Sequence, residues 1–219
     1  MENEIILIDK PKDMTSFGVV ARVRRVLSER AGKKVKVGHT GTLDPFATGL
    51  LILLAGKATK RSNEFLKLDK EYIAEIQLGE VSTTGDPEGE VTKSYTGEPV
   101  DEALVKKVVQ SFVGEIWQKV PAFSAVKVNG ERAYKLARKG VEVETPTRKV
   151  TIYNIEVLEY KWPVLKIRAE VSSGTYIRTL GEDIGEKLGT GAYLTNLRRT
   201  KIDKYAVEEA TPLEDFMKN

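Results

Sequence analysis

Apolar and polar positions follow a few clear rhythms along this chain. Ile5-Ile6-Leu7-Ile8 is a short unbroken apolar run stopped by Asp9-Lys10-Pro11, the pattern of a buried strand. Val19, Val20, Val23, Val26 and Leu27 then recur at three- and four-residue spacing. That is one buried face of a helix, capped by Thr15 or Ser16 and ended at Gly32. Leu50-Leu51-Ile52-Leu53-Leu54 lies between Gly49 and Gly56. A run of that length between glycines predicts a strand covered on both faces, with a buried helix as the alternative that periodicity leaves open. A short helical stretch is expected over 57–68, and a half-buried strand over 72–78, where apolar and polar residues alternate from Ala74 on.

Residues 79–95 are acidic and turn-rich, with Gly85-Asp86-Pro87-Glu88-Gly89 at the tip. A helix is predicted over 100–112, with Leu104, Val105, Val108 and Phe112 as its apolar stripe and Asp101 and Glu102 favouring its N-terminus. Residues 120–140 lack one long apolar face and read as a strand-loop-helix excursion. Strands are expected over 150–159 and 164–171. Thr175 is expected to cap a helix that carries Tyr176, Ile177, Leu180, Ile184 and Leu188. Arg178 falls in the first turn of that helix, where the helix dipole disfavours a cation, so an anionic partner is expected. A final strand over 193–202 carries Arg198, Arg199 and Lys201, and a short terminal helix follows over 210–216.

The chemistry concentrates in Gly38-His39-Thr40-Gly41-Thr42-Leu43-Asp44-Pro45, which leads through Phe46-Ala47-Thr48 into the apolar run at 50–54. This loop holds the only histidine of the chain. Pro45 biases Asp44 toward an extended or turn conformation, so the carboxylate is presented by a turn. An isolated Asp-Pro is more often an Asx-turn or capping residue than a catalytic one. Neither the phosphate-binding Gly-Lys-Ser/Thr pattern nor a GxGxxG is present. The chemistry on offer is a carboxylate, an imidazole, tyrosines such as Tyr72 and an arginine, with no cofactor motif. A carboxylate serves as nucleophile or base.

Composition narrows the setting. There are no cysteines, which removes disulfides and thiolate metal sites, and one histidine makes a zinc site a poor reading. No apolar stretch is long enough to span a membrane, and no signal peptide is present, so the chain reads as cytoplasmic. Net charge is only +3, but it is segregated. Residues 19–36 carry seven basic side chains against Glu29, and residues 119–149 carry eight against three acids. Residues 80–104 reverse the balance. Basic side chains interleaved with aromatics in the second region suit a nucleic-acid surface, although ordinary solvated faces look similar.

Several ordered motifs resemble one family. Gly38 to Pro45, with Ala47-Thr48-Gly49, is similar to the catalytic motif of TruB-type tRNA pseudouridine-55 synthases. Leu7-Ile8-Asp9-Lys10-Pro11 resembles the family's opening, and Lys70-Glu71-Tyr72 its tyrosine motif. Pro121-Ala122-Phe123-Ser124-Ala125-Val126-Lys127, with Gly130 and Tyr134, resembles its thumb loop. Gly174-Thr175-Tyr176-Ile177-Arg178 resembles its arginine motif, and Leu197-Arg198-Arg199 a strand of its catalytic domain.

The resemblance implies an α+β fold with a mixed, mainly antiparallel central sheet flanked by helices. It implies one catalytic domain over 1–219 with a basic thumb insertion at about 119–148. The expected departure from the family is the C-terminal PUA-type module that bacterial members usually carry, which is not expected in this sequence. The resemblance makes Asp44 the nucleophile, with Arg178 pairing its carboxylate and Tyr72 stacking on the target base. Tyr176 and Leu197 line the pocket, and His39 helps hold the flipped-out segment. Lys10, Arg132 and Arg138 are further substrate-binding positions. The implied partner is the T-arm stem-loop of tRNA, bound by a monomer without cofactor, metal or membrane. Asp44 attacks C1′ or C6 or promotes loss of a sugar proton; these routes stay open. A pseudouridine synthase for another RNA and a non-catalytic RNA-binding module are the rival readings.

Overall fold

The computed structural model describes residues 4–124, 126–128, 130–141 and 143–218, without the side chains of Val128 and Arg138. The chain divides into two compact units, Met1–Ile73 with Asn196–Asn219, and Ala74–Thr195.

The first unit opens with strand β1 (Ile5–Lys10) and helix α1 (Ser16–Ala31). Thr15 is the cap: its Oγ1 accepts from Gly18 N at 2.9 Å, and Gly32 ends the helix in the left-handed conformation. Strands β2 (Val37–His39) and β3 (Thr48–Ala55) follow, then a 3-10 turn (Gly56–Arg61) and helix α2 (Ser62–Leu66), the helical stretch expected over 57–68.

Strand β4 (Lys70–Leu78) leads into the second unit. There β5 (Glu80–Ser82) and β6 (Val91–Lys93) make a hairpin around the acidic tip. Helix α3 (Glu102–Gln110) is capped by Asp101, whose Oδ1 accepts from Ala103 N and Leu104 N. Leu104, expected in the apolar stripe, is exposed; Val105, Val108 and Val109 are the buried face. Strand β7 (Gly114–Lys119) precedes the basic excursion, which holds β8 (Lys127–Val128), β9 (Glu131–Arg132) and α4 (Ala133–Arg138). Strands β10 (Thr147–Lys161) and β11 (Val164–Val171), helix α5 (Ile177–Lys187) and β12 (Ala192–Ile202) complete this part. Strand β12 is not the last strand: β13 (Tyr205–Ala206) and β14 (Thr211–Pro212) follow in the first unit, before helix α6 (Leu213–Lys218).

The sheet is mainly antiparallel. In the first unit the order is β14-β1-β3-β12, with β2 on β3 and β13 on β12; in the second it is β4-β11-β10-β7. The pairs β1–β3, β2–β3, β12–β13, β10–β11 and β7–β10 are antiparallel, whereas β1–β14 and β3–β12 are parallel.

Strand β3 is the strand covered on both faces that its sequence predicts. Leu51, Leu53 and Ala55 pack with Val19, Val20, Val23 and Leu27 of α1. Leu50, Ile52 and Leu54 pack on the other side with Phe65, Ile202 and Val207. The alternation of side chains along a strand divides one apolar run between two cores.

Candidate active site

In the first unit the glycine loop hangs between β2 and β3 and is tied down from several sides. Asp44 O accepts from Ala47 N at 3.2 Å, which closes a turn with Pro45 at its second position. The residue before Asp44 is clamped by Ser16: its Oγ accepts from Leu43 N at 2.8 Å and donates to Leu43 O at 2.9 Å. Thr15 does the capping of α1, which leaves the Ser16 hydroxyl for the loop. The residue after Asp44 is held by Lys10. Its Nζ donates to Pro45 O at 3.1 Å, to Pro11 O at 2.8 Å and to Met14 O at 2.7 Å. Lys10 is 0% exposed, so this residue, expected to contact substrate, sits beneath the loop as a support.

One edge of β3 explains Arg199. Strand β12 pairs with Thr48 and Gly49, and β2 pairs with Leu53 to Ala55. The carbonyls between need other partners. Arg199 Nε donates to Leu50 O at 2.7 Å, and Thr40 N donates to Ile52 O at 3.1 Å. Arg199 Nη2 reaches Gly41 O at 3.2 Å, so one buried guanidinium joins strand to loop. Gly49 has φ +104, and a Cβ there would lie 2.3 Å from Arg199 O, so only glycine permits this approach.

His39 ends β2, is partly exposed, and its Nδ1 accepts from Gly41 N at 3.4 Å. Arg198 holds the opening motif through two bonds to the Asp9 carboxylate, at 3.1 and 2.7 Å. Tyr72 and Leu197 are buried on β4 and β12. Lys70, in the same motif as Tyr72, donates to the carbonyls of Leu66 and Leu68. Burial, and next the charge of Arg199, push its ammonium down to about 8, with Asp69 opposing.

The second unit gathers a different set around Arg178. An acidic side chain, Asp86, lies 3.3 Å from it, with both side chains nearly fully buried. Arg178 Nη1 also donates to Thr84 O at 2.9 Å, and Nη2 to Phe123 O at 2.8 Å. The Asp86 carboxylate is itself fixed, since its Oδ1 accepts from Thr84 Oγ1 at 2.6 Å and Glu88 N at 3.0 Å. The arginine thus joins the acidic tip to the thumb motif.

Thr175, expected to cap α5, instead donates its hydroxyl to Ser172 O at 2.9 Å. Tyr176 is the N-cap residue, without a side-chain cap bond. Its backbone is clamped by Gln118: Tyr176 N donates to Oε1 at 3.0 Å, and Nε2 donates to Tyr176 O at 3.1 Å. The Tyr176 ring lies under the Arg148 guanidinium, 5.3 Å from its centroid. Arg132 is exposed on β9, and Arg138 closes α4 with a side chain outside the described residues.

Glu182, one turn along α5 from Arg178, faces the same loop. A Cβ on Gly85 would lie 2.7 Å from its Oε1. Burial pushes its carboxyl up to about 7, against the pull of Arg178 and with help from Asp183 and Asp86. Asp183 is pushed up to about 6 by burial and by Glu186. Both acids hold protons in the folded state at pH values where the unfolded chain has lost them. Stability therefore declines as pH rises from about 4.5 through about 7. Glu182→Gln is expected to be more stable than wild type at about pH 8, by on the order of 1 kcal/mol, and to show a shallower decline. Thermal melts across that range decide it; a decline as steep as wild type removes Glu182 as the titrating group.

Ser16, Arg199, Gln118 and Asp86 were not singled out by sequence reasoning as site residues. Each acts mainly on main-chain groups or on another side chain, and residue type alone does not reveal that.

The description "TruB family pseudouridylate synthase (N terminal domain)" matches residues 24–177, and "tRNA pseudouridylate synthase B C-terminal domain" matches 178–219. A tRNA pseudouridine synthase B of Phocaeicola vulgatus is 48% identical over 98% of this chain and 92% of its own length. One from Aquifex aeolicus is 48% identical over 97% of this chain and 72% of its own. A Cbf5-Nop10-Gar1 complex contains a chain 32% identical, with a TM-score of 0.72 over 98% of this chain. This chain spans about half of that one, 53%. The chain belongs to the TruB family of pseudouridylate synthases.

Proposed function

We propose that this protein isomerises uridine 55, in the T-loop of tRNA, to pseudouridine, with Asp44 as the nucleophile. The observation that carries the assignment is the mounting of Asp44: Leu43 and Pro45 on either side are held through main-chain groups by Ser16 and Lys10. A carboxylate presented on a fixed turn is preorganised for attack. The relatives' name, tRNA pseudouridine synthase B, supports tRNA as the substrate.

The target base leaves its stack, because its bond to the sugar is otherwise out of reach. The N1–C1′ bond breaks, the base turns, and C5 bonds to C1′; the C5 proton is lost and N1 gains one. No electron or energy donor is required. Arg178 serves the carboxylate as its cation, Tyr72 stacks on the base, and Tyr176 and Leu197 line its pocket. His39 holds the extruded segment, and Arg132 and Arg138 contact phosphate. Lys10 acts through the loop it supports. The enzyme works as a cytoplasmic monomer; among the described residues no helix is long and apolar enough to cross a membrane.

The deciding experiment incubates the protein with a T-arm stem-loop and maps pseudouridine. Conversion at position 55 alone is expected, with none when that uridine is replaced by cytidine. Conversion only at other uridines, or only in another RNA, replaces the substrate assignment; no conversion in any RNA replaces the enzyme by a binding module.

A further inference from the structure

Helix α1 buries one face and leaves the other to solvent. Val19, Val20, Val23, Val26 and Leu27 make the buried face. Helical spacing puts Phe17, Arg22, Arg24 and Arg25 on the other side. Phe17 is 62% exposed. Arg22 and Arg25 are exposed, and Arg24 is partly so. A lone exposed aromatic is ordinary. This one is roofed by a cation, since the Arg24 guanidinium lies 5.9 Å from the centroid of its ring.

The charge on this face is unbalanced. Glu29 is the only acid in the helix, and none lies in the first turn, where an acid would offset the helix dipole. Glu29 stands 3.9 Å from Arg25 with both side chains more than half exposed, a contact worth little and readily exchanged. Arg22 Nη1 donates to a carbonyl of its own helix, Gly18 O, at 3.2 Å. Neither Arg22 nor Arg24 meets a carboxylate among the described residues. Arg22 and Arg25 are three residues apart, so like charges lie side by side and repel, and an anion on this face relieves that repulsion. The face begins beside the turn that carries Asp44. Phe17 follows Ser16, whose hydroxyl grips both main-chain groups of Leu43.

We propose that this face of α1 is a contact surface for the RNA substrate beyond the flipped nucleotide, with Arg22, Arg24 and Arg25 on phosphates and Phe17 stacked on a base. This rests on the reading of the chain as an RNA-modifying enzyme. Phosphates take the arginine fork, and every base offers a flat face to an aromatic ring. An acidic protein accounts for the arginines alone. A lipid surface needs an apolar stripe, where this face has one ring. RNA uses both the charge and the ring.

Titrations of a tRNA transcript at several salt concentrations test the assignment on the full chain. In the variant Arg22→Gln/Arg24→Gln/Arg25→Gln, each lost phosphate contact is expected to lower the slope of log affinity against log salt by about 0.7, or roughly 2 in all, with at least a roughly tenfold loss of affinity at low salt. Glutamine keeps the helix propensity of arginine. Phe17→Leu keeps apolar bulk without a π face. It is expected to bind about tenfold more weakly at an unchanged slope, and Phe17→Trp to bind as wild type does. Melting temperatures should stay within about two degrees of wild type, because the substitutions lie on the surface. A wild-type slope in the arginine variant overturns the proposal and makes the face an ordinary solvated one. Wild-type affinity in Phe17→Leu overturns it too, because arginines without the ring fit an acidic protein as well as RNA. A wild-type protein that converts the transcript while both variants bind it normally loses this inference alone. One that neither binds nor converts any RNA loses the RNA reading, and this inference with it.

Discussion

Asp44→Asn is expected to abolish turnover while leaving RNA binding mostly intact. The substitution keeps size and shape and removes the charge. Three supports of the loop are independent of that charge: Ser16 holds Leu43, Lys10 holds Pro45, and Arg199 holds Gly41, each through main-chain groups. The turn itself closes through the Asp44 carbonyl, which asparagine retains. The variant is therefore expected to fold normally and to present a neutral amide in place of the proposed nucleophile. An amide does not form the covalent bond that a carboxylate forms. Tritium release from 5-labelled uridine measures the rate, and a filter-binding titration measures affinity. A rate within about tenfold of wild type, about 1.4 kcal/mol of barrier, rules out Asp44 as the nucleophile.

Much of the fold was legible because the rhythm of apolar residues reports burial directly. The run at 50–54 sits on β3 with both faces covered, and the valines of α1 form the face that covers one of them. Asp101 was placed at a helix start by its charge and caps α3 with its side chain. The reading was open or mistaken where more than one residue or partner suited a task. Thr15 and Ser16 both suit a cap; Thr15 takes it, and Ser16 binds the loop instead. Thr175 also suits a cap, but its hydroxyl turns back to Ser172, and the helix begins after Tyr176. Local sequence states what a side chain is able to bond, whereas the choice among partners depends on contacts distant in the chain.

The same distinction applies to the candidate site. A cation in the first turn of α5 signalled a missing anion, and Asp86 supplies it. That aspartate was visible only as part of a turn, because nothing in Gly85-Asp86-Pro87 specifies a partner on a distant helix. Arg199 was visible as part of a motif, without a task. Its task follows from β12 and β2 leaving carbonyls of β3 unpaired between them, a property of strand pairing. Lys10 and Gln118 are likewise understood only once the backbone they hold has been placed.

Arg178→Lys is expected to lower turnover by roughly a hundredfold or more, the scale associated with losing one preorganised donor, with little loss of RNA affinity. The planar guanidinium reaches Thr84 O and Phe123 O from two nitrogens while it faces the Asp86 carboxylate. An ammonium on a shorter, flexible stem keeps the charge but not that divergent geometry. At least one of the two carbonyls would lose its partner in a nearly solvent-free site, at a cost of about 1–3 kcal/mol. The acidic tip and the thumb motif would no longer be joined through one side chain. The melting temperature should therefore fall by a few degrees, as for other lost buried contacts. Affinity depends mainly on phosphate contacts made by exposed cations, so it should change little. Single-turnover rates at saturating RNA separate these effects, because they report the chemical step once binding is complete. A lysine variant that melts lower yet turns over at the wild-type rate would make Arg178 a purely structural residue. A variant with wild-type melting and a hundredfold slower chemical step would place its contribution in the reaction alone.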